Sequence, residues 1–396
     1  MTKLKYDASK LLYARSENNR LIHQLEIKDD ERATLLQTRK KARSAIRKAF
    51  NESKAILEED FKKQSSLKGI HTAFREVSPA FWPQGSFSYG TLNNPAFSPP
   101  QQLDIDDGVY LPMDLFEDNP IYSKGVFFKI VDSALKQLVA ENQGWKFDDS
   151  KPTCARIIVS SRIHLDFPLY AVPIERFKEL KEVALSTSFA VMDSTYSLEA
   201  IKLDPNEIYL ARRDKEHWIK SDPKKIKLWF EREKEVHGVR LVRVCRYLKA
   251  WRDFTWKTGG PTSITLMACA ASVFDDSNEF NRDCEALFAV SEKLPSLFAG
   301  EIKNPAEPEE TLYPREFSQE IIDDIVNKAK IFRDTLTKAL IHAETSQEVV
   351  DLFIKSLGRR IPNDNTYITP ISSVSVALNT PIRKQPAPIV KNLKSG

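Results

Sequence analysis

The chain has 396 residues, 41% of them hydrophobic and 29% charged, and carries a formal net charge of +4. That length buries a large core and points to two or three subdomains, and so small a charge imposes no nucleic-acid partner. Four cysteines without C-x-x-C or zinc-type spacing exclude a disulfide scaffold or zinc cluster, and the absence of a signal-peptide core or an eighteen-residue apolar run makes a cytoplasmic enzyme the expectation.

Residues 1–28 read as an N-terminal extension. A long helix is expected over 29–68, opening at Asp29-Asp30 and free of Gly and Pro until Gly69, with Leu35, Leu36, Ala42, Ile46, Ala49, Phe50 and Leu57 forming a buried stripe. On another face Arg39, Arg43 and Arg47 recur every four residues. Aligned guanidiniums are either a solvated face with scattered salt bridges or an anion site for a small polycarboxylate or polyphosphate regulator, which they would bind bidentately.

Residues 69–220 hold the chemistry. Gly85 lets the backbone approach a phosphate closely, and the Ser86 hydroxyl with its neighbouring N–H groups can bond phosphate oxygens. Some twenty residues later comes Leu103-Asp104-Ile105-Asp106. On a strand Asp104 and Asp106 project together while Leu103 and Ile105 face the core, and Asp107 points away from the pair. Two carboxylates side by side repel unless a cation lies between them, and an oxygen-only set suits magnesium. A helix is expected over 123–141, followed by strands at 155–160, 163–167 and 169–172. Asp166, between Leu165 and Phe167, can join the acid pair from an adjacent strand. An Asp in a strand is more often a cap or edge residue, but one flanked by apolar neighbours needs a partner such as a metal. A phosphate cradle beside a metal clamp reads as nucleotidyl transfer.

Residues 221–360 read as a helical subdomain. Ser221 precedes Asp222-Pro223, a helix start, and a second helix over 239–253 carries Arg243, Arg246 and Lys249 on one side. Such a face is usually solvated. Here a glycine loop, Gly259-Gly260-Pro261-Thr262-Ser263, opens the next helix, so Lys249 and Ser263 could converge on a triphosphate. A Pro- and Glu-rich excursion at about 303–314 interrupts the helices, and 361–396 reads as a flexible tail.

A G-S turn followed by D-x-D is the signature of the DNA polymerase β-like nucleotidyltransferases, and the longer string resembles the bacterial cyclic-dinucleotide synthases of the DncV type, relatives of cGAS. The resemblance continues in order through Thr153-Cys154-Ala155-Arg156, His164-Leu165-Asp166, Lys220-Ser221-Asp222-Pro223, Cys245 to Asp253 and Gly259 to Ser263. It implies an α+β fold, a mixed twisted sheet with flanking helices, joined to a helical C-terminal subdomain and a long N-terminal spine helix. It also implies that ATP and GTP are joined through a linear intermediate to 3',3'-cyclic GMP-AMP, for anti-phage signalling. Two magnesium ions, or manganese, would sit on Asp104 and Asp106, with Asp166 on the ion that activates the nucleophile. Gln84, Gly85, Ser86, Tyr89, Arg156, Ser221, Lys249 and Ser263 become nucleotide contacts, with Glu309 or Glu310 near a further one. The C-terminal Gly396 resembles a site of conjugation by a ubiquitin-transfer-like partner.

Two rivals share the clamp or the fold. A template-independent RNA nucleotidyltransferase is opposed by the modest charge and the lack of an RNA-binding extension, and an inactive nucleotide-binding scaffold by the presence of all three acids.

Overall fold

The computed structural model describes residues 3–15, 19–61, 78–112, 120–173, 177–178, 208–221, 223–276 and 279–371. Gly396, Asp222 and the end of the expected 29–68 helix lie outside them. In chain order the elements are β1 (Tyr6–Asp7), α1 (Ser9–Leu12), α2 (Leu21–Gln24), α3 (Asp29–Phe61), β2 (Ala80–Gln84), α4 (Gly85–Ser88), β3 (Leu103–Pro112), α5 (Pro120–Ala140), β4 (Lys146–Asp148), β5 (Ala155–Ile158), β6 (Ile163–Phe167), β7 (Leu169–Val172), β8 (Tyr209–Leu210) and β9 (Ile219–Lys220). The helical part follows as α6 (Pro223–His237), α7 (Val239–Thr255), α8 (Ser263–Asp275), α9 (Asp283–Phe298), β10 (Ile302–Asn304), β11 (Glu307–Tyr313), α10 (Gln319–Thr337), α11 (Ser346–Leu357) and β12 (Thr369–Pro370).

β3 organises a mixed sheet of eight strands. β2 runs antiparallel along one side of it. On the other side β6 and β7 run parallel in a single register, Leu103 opposite Ile163 and Val109 opposite Leu169, so they form one line interrupted at Pro168. β5 and β8 pair antiparallel outside them. The alternation of β3 explains the layering. Leu103, Ile105, Val109 and Leu111 are fully buried against Leu35, Ala42, Ile46 and Phe50 of α3 and Phe127, Val131 and Leu135 of α5. Each such side chain contributes about 1.5–3 kcal/mol. The even-numbered residues, the two acids among them, are left for the opposite face.

A second core joins α6 to α11. It corrects two expected boundaries. Leu4, Tyr6, Leu11, Leu12, Leu21 and Leu25 from the N-terminal extension are buried in this helical core, and so are Ile361 and Ile368 from the expected tail. β1 and β12 pair antiparallel, and the Arg20 guanidinium lies 3.4 Å over the Tyr367 ring, so the two ends of the described chain fold together. The Pro- and Glu-rich excursion is a β10–β11 hairpin, anchored by Ile302, Leu312 and Tyr313. All four cysteines are free and buried. Among the described residues no helix is long and apolar enough to cross a membrane.

Candidate active site

The three predicted acids come together at the start of β3. The parallel register sets Asp104 opposite His164 and Asp106 opposite Asp166, while β5 brings Arg156 opposite Asp166 and β2 brings Gln84 opposite Asp106. Strand parity turns all of these to one face. Ligand-type atoms of Asp104, His164 and Asp166 lie within 4.8 Å of one another. Burial, then the charges of Asp104 and Asp166, push the Asp106 carboxyl well above the usual carboxylate range. Asp166 is treated differently. Burial alone would raise it, but the Arg156 guanidinium bonds both of its oxygens, at 2.6 and 2.9 Å, and the Lys151 ammonium lies at 2.5 Å, so its carboxyl is held below the usual range.

Two features fit a divalent cation. Asp104 Oδ1 and His164 Nε2 are buried polar atoms without a hydrogen-bond partner, and such atoms are costly unless a cation or proton completes them. The donors are oxygens and one imidazole nitrogen, which hard and intermediate divalent ions accept. Lys151 and His164 were missed in the sequence. The His164 signal was present, because residues two apart on a strand share a face and His164 precedes Asp166 by two. Lys151 comes from the loop between β4 and β5 and carries no periodic signal.

The Gly85-Ser86 turn follows directly from β2. Gly85 takes φ +68, and a Cβ there would stand 2.0 Å from Asp106 Oδ2, so the backbone of the turn lies against the acid. Ser86 follows in α4, its carbonyl accepting the Thr91 N–H at 2.9 Å. The Thr91 carbonyl in turn accepts from the Lys249 ammonium at 2.5 Å. Lys249 is buried, and that desolvation, reinforced by Arg252, lowers its pKa to about 7. Ser263 lies at the first turn of α8, after the Thr262 cap, and its hydroxyl accepts from Arg252 at 3.2 Å. Lys249 and Ser263 therefore stand on the expected helices, but their bonds go to Thr91 and Arg252. The other basic residues of α7 are engaged too. Arg243 clasps Asp283 at 2.6 Å through two nitrogens, and Arg246 bonds Asn93 at 2.9 Å.

The remaining predicted contacts are spread around this centre. Gln84 is buried, donating to the Tyr110 hydroxyl at 2.7 Å and accepting from Tyr170 at 3.1 Å, and these two rings stack 4.9 Å apart. Tyr89 packs beside Phe230, centroids 6.5 Å apart. Ser221 closes β9, its N–H on the Ile208 carbonyl at 3.0 Å. Glu310 bonds Asn304 and Arg315, and Glu309 is exposed on β11.

The arginine stripe of α3 is only partly solvated: Arg39 is buried, Arg43 half-buried and Arg47 exposed. It packs on the back of β2 and β3, where Arg43 clasps the fully buried Asp107 at 2.6 and 2.5 Å. Arg43 and Arg47 lie 5.3 and 4.8 Å from the Phe81 ring centroid, and Arg39, itself buried, lies 5.9 Å from that of Phe87. Burial lowers the pKa of Arg39 and Arg47 below the ordinary arginine value.

Comparison with known proteins follows the same division of the chain. Residues 79–170 match the nucleotidyltransferase domain of the DncV-like cyclic GMP-AMP synthases, and residues 238–370 match the cyclic GMP-AMP synthase C-terminal domain. A cyclic GMP-AMP synthase of Vibrio cholerae is 32% identical over 97% of this chain and 98% of its own length. One from Escherichia coli strain TW11681 is 31% identical over 95% of this chain and 96% of its own. Among solved structures, Vibrio cholerae DncV in complex with the linear intermediate 5' pppA(3',5')pG superposes with a TM-score of 0.77 at 31% identity, covering 94% of this chain and 100% of that one. A mutant of DncV in complex with ATP, GTP and 5MTHFGLU2 gives 0.77 at 29% identity, covering 93% and 100%.

Proposed function

The chain belongs to the DncV-like cyclic GMP-AMP synthases, which are nucleotidyltransferases, and on that premise we propose that it joins ATP and GTP into 3',3'-cyclic GMP-AMP through a linear intermediate. The observation that carries this reading is the gathering of Asp104, Asp106 and Asp166 on adjacent strands, hard against the Gly85 turn. The complex of the Vibrio cholerae relative with a linear intermediate supports two successive transfers.

Asp104, Asp106 and Asp166 are the residues to hold two magnesium ions, with manganese as a substitute, and bound there the ions supply charge neutralisation and a more acidic 3'-hydroxyl. The protein's own part is positioning. The Gly85 backbone and Ser86 receive the donor phosphates beside the acids. Arg156 and Lys151 keep Asp166 ionised and fixed in orientation, and Arg156 is also the residue of this face that would meet a nucleotide. Lys249 acts from beneath, holding the Thr91 carbonyl at the end of the turn, and Ser263 supports the same side from α8. Gln84, Tyr89 and Ser221 are the further residues that would contact a nucleotide. The stripe Arg39, Arg43 and Arg47 is where a regulatory anion would be met, with Arg43 also held by Asp107. A role in anti-phage signalling, action in the cytoplasm and conjugation at Gly396 complete the reading.

Incubation with ATP, GTP and magnesium, followed by mass spectrometry and linkage-specific nuclease digestion, tests it. A phosphatase-resistant dinucleotide with two 3'–5' linkages is expected, and Asp104→Asn with Asp106→Asn lowers its rate by at least about 10³-fold. Extension of RNA, or no turnover by the unmodified protein, overturns the proposal.

A further inference from the structure

His164 is 8% exposed and stands on the acid face opposite Asp104. Its orientation is fixed by Gln102. The Gln102 side-chain nitrogen donates to two backbone carbonyls, Ser160 at 3.2 Å and Ser161 at 3.1 Å, and carbonyls can only accept. The amide oxygen of Gln102 is therefore the atom 3.0 Å from His164 Nδ1, and Nδ1 must carry the proton. That leaves Nε2 of the neutral ring as a bare lone pair.

Nε2 lies 3.1 Å from Asp104 Oδ1, and the two make no hydrogen bond. At that distance a protonated Nε2 aimed at the carboxylate would make one, so the two atoms sit side by side rather than head to head. Two acceptors so placed in a buried site repel unless a cation meets both. Adjacent ligands of an octahedral ion with bonds of about 2.1 Å lie about 3.0 Å apart, which matches the observed separation. Gln102 supplies the support that ligating histidines characteristically have at their second nitrogen.

We propose that His164 Nε2 is a nitrogen ligand to the divalent ion held by Asp104 and Asp166, with Gln102 fixing its tautomer. The inference rests on the proposed metal-holding role of the acids and deepens it. An imidazole among the donors favours a first-row transition ion over magnesium, because magnesium prefers an all-oxygen shell. The site is thereby biased toward manganese, and the bias belongs to His164 rather than to the carboxylates.

Electron spin-echo envelope modulation on the full chain with bound Mn2+ reads the nitrogen directly. Protein prepared with ¹⁴N-histidine and with ¹⁵N-histidine is measured without nucleotide and with a non-hydrolysable ATP analogue, so that adenine nitrogens are told apart from imidazole. Histidine nitrogen modulation is expected in the unmodified protein and lost in His164→Asn, while His237→Asn, which disrupts a separate Glu233–His237–Asp275 group, leaves it unchanged. His164→Asn is also expected to weaken Mn2+ binding at least about tenfold, with a smaller loss for Mg2+. Bound Mn2+ without histidine modulation, or modulation that survives His164→Asn, overturns the ligand role while leaving the acids' role intact. Failure of Mn2+ to bind in either state overturns both. The isotope comparison on the unmodified protein together with the His237→Asn protein, which removes the other clustered histidine, keeps the test decisive even if His164→Asn does not fold.

Discussion

At Gly85 a side chain is excluded twice. The backbone takes φ +68, which costs an L-residue about 1 kcal/mol, and a Cβ would stand 2.0 Å from an oxygen of Asp106. The carboxylate has to move for any side chain to fit. Displacing a reacting group by about 1 Å costs on the order of 100-fold in rate. Gly85→Ala is therefore expected to lower product formation by about 100-fold while lowering stability by only about 1–2 kcal/mol, as read by chromatographic assay and urea unfolding. Activity within threefold of the unmodified protein would show that the turn does not set the acid's position. At this scale the acids were legible in the sequence, because strand parity alone puts Asp104 and Asp106 on one face and Asp107 on the other. What parity cannot give is the partner across the sheet. The clasp of Arg156 on Asp166 depends on the register of β5 against β6, and Lys151 arrives from a loop.

Elements were legible where a helical or strand period was long, and misread where a distant residue decided the outcome. The α3 stripe is the instructive case. On an isolated helix three aligned arginines repel, so water is their natural neighbour. The fold instead supplies Asp107, sixty-four residues later, as the partner of Arg43, and aromatic rings for the others. The pair joins α3 to the back of the strand whose front carries the acids. Asp107 is fully buried, so Arg43→Met leaves an unpaired charge, at an expected cost of about 3–5 kcal/mol. Asp107→Asn in the same chain removes that charge, and the double variant should recover at least about 1 kcal/mol of the summed single losses in a urea double-mutant cycle. Strict additivity would mean that the pair does not couple helix to strand. The β10–β11 hairpin was hidden for a related reason. Pro305, Pro308 and the run of glutamates argue against a strand, yet proline is tolerated on a strand with an open edge, and Phe298 holds Tyr313 with ring centroids 5.3 Å apart.

On the scale of the whole molecule, the question is how the helical core holds the Gly85 turn. The segment from Gly85 to Gln101 lies along α7: Asn93 exchanges bonds with Arg246, Gln101 donates to the Asp253 and Trp256 carbonyls, and Lys249 reaches Thr91. Composition and periodicity gave the two parts, but this seam is made of single contacts more than one hundred and fifty residues apart, which no local pattern encodes. Lys249 makes the seam measurable. Its folded pKa is about 7, lowered first by burial and then by Arg252, whereas in the unfolded chain a lysine titrates near 10.4. Below pH 7 the side chain is charged in both states, and the full cost of burying the charge is present. Between about 7 and 10 the unfolded chain binds the extra proton, so stability must rise with pH, by at most about 1.4 kcal/mol per unit from this one group. Lys249→Met removes the titration. Urea unfolding at pH 6, 7.5 and 9 should give the unmodified protein a steeper increase with pH than the variant across the upper interval, and equal slopes in the two chains between 6 and 9 would mean that Lys249 keeps its proton in the fold.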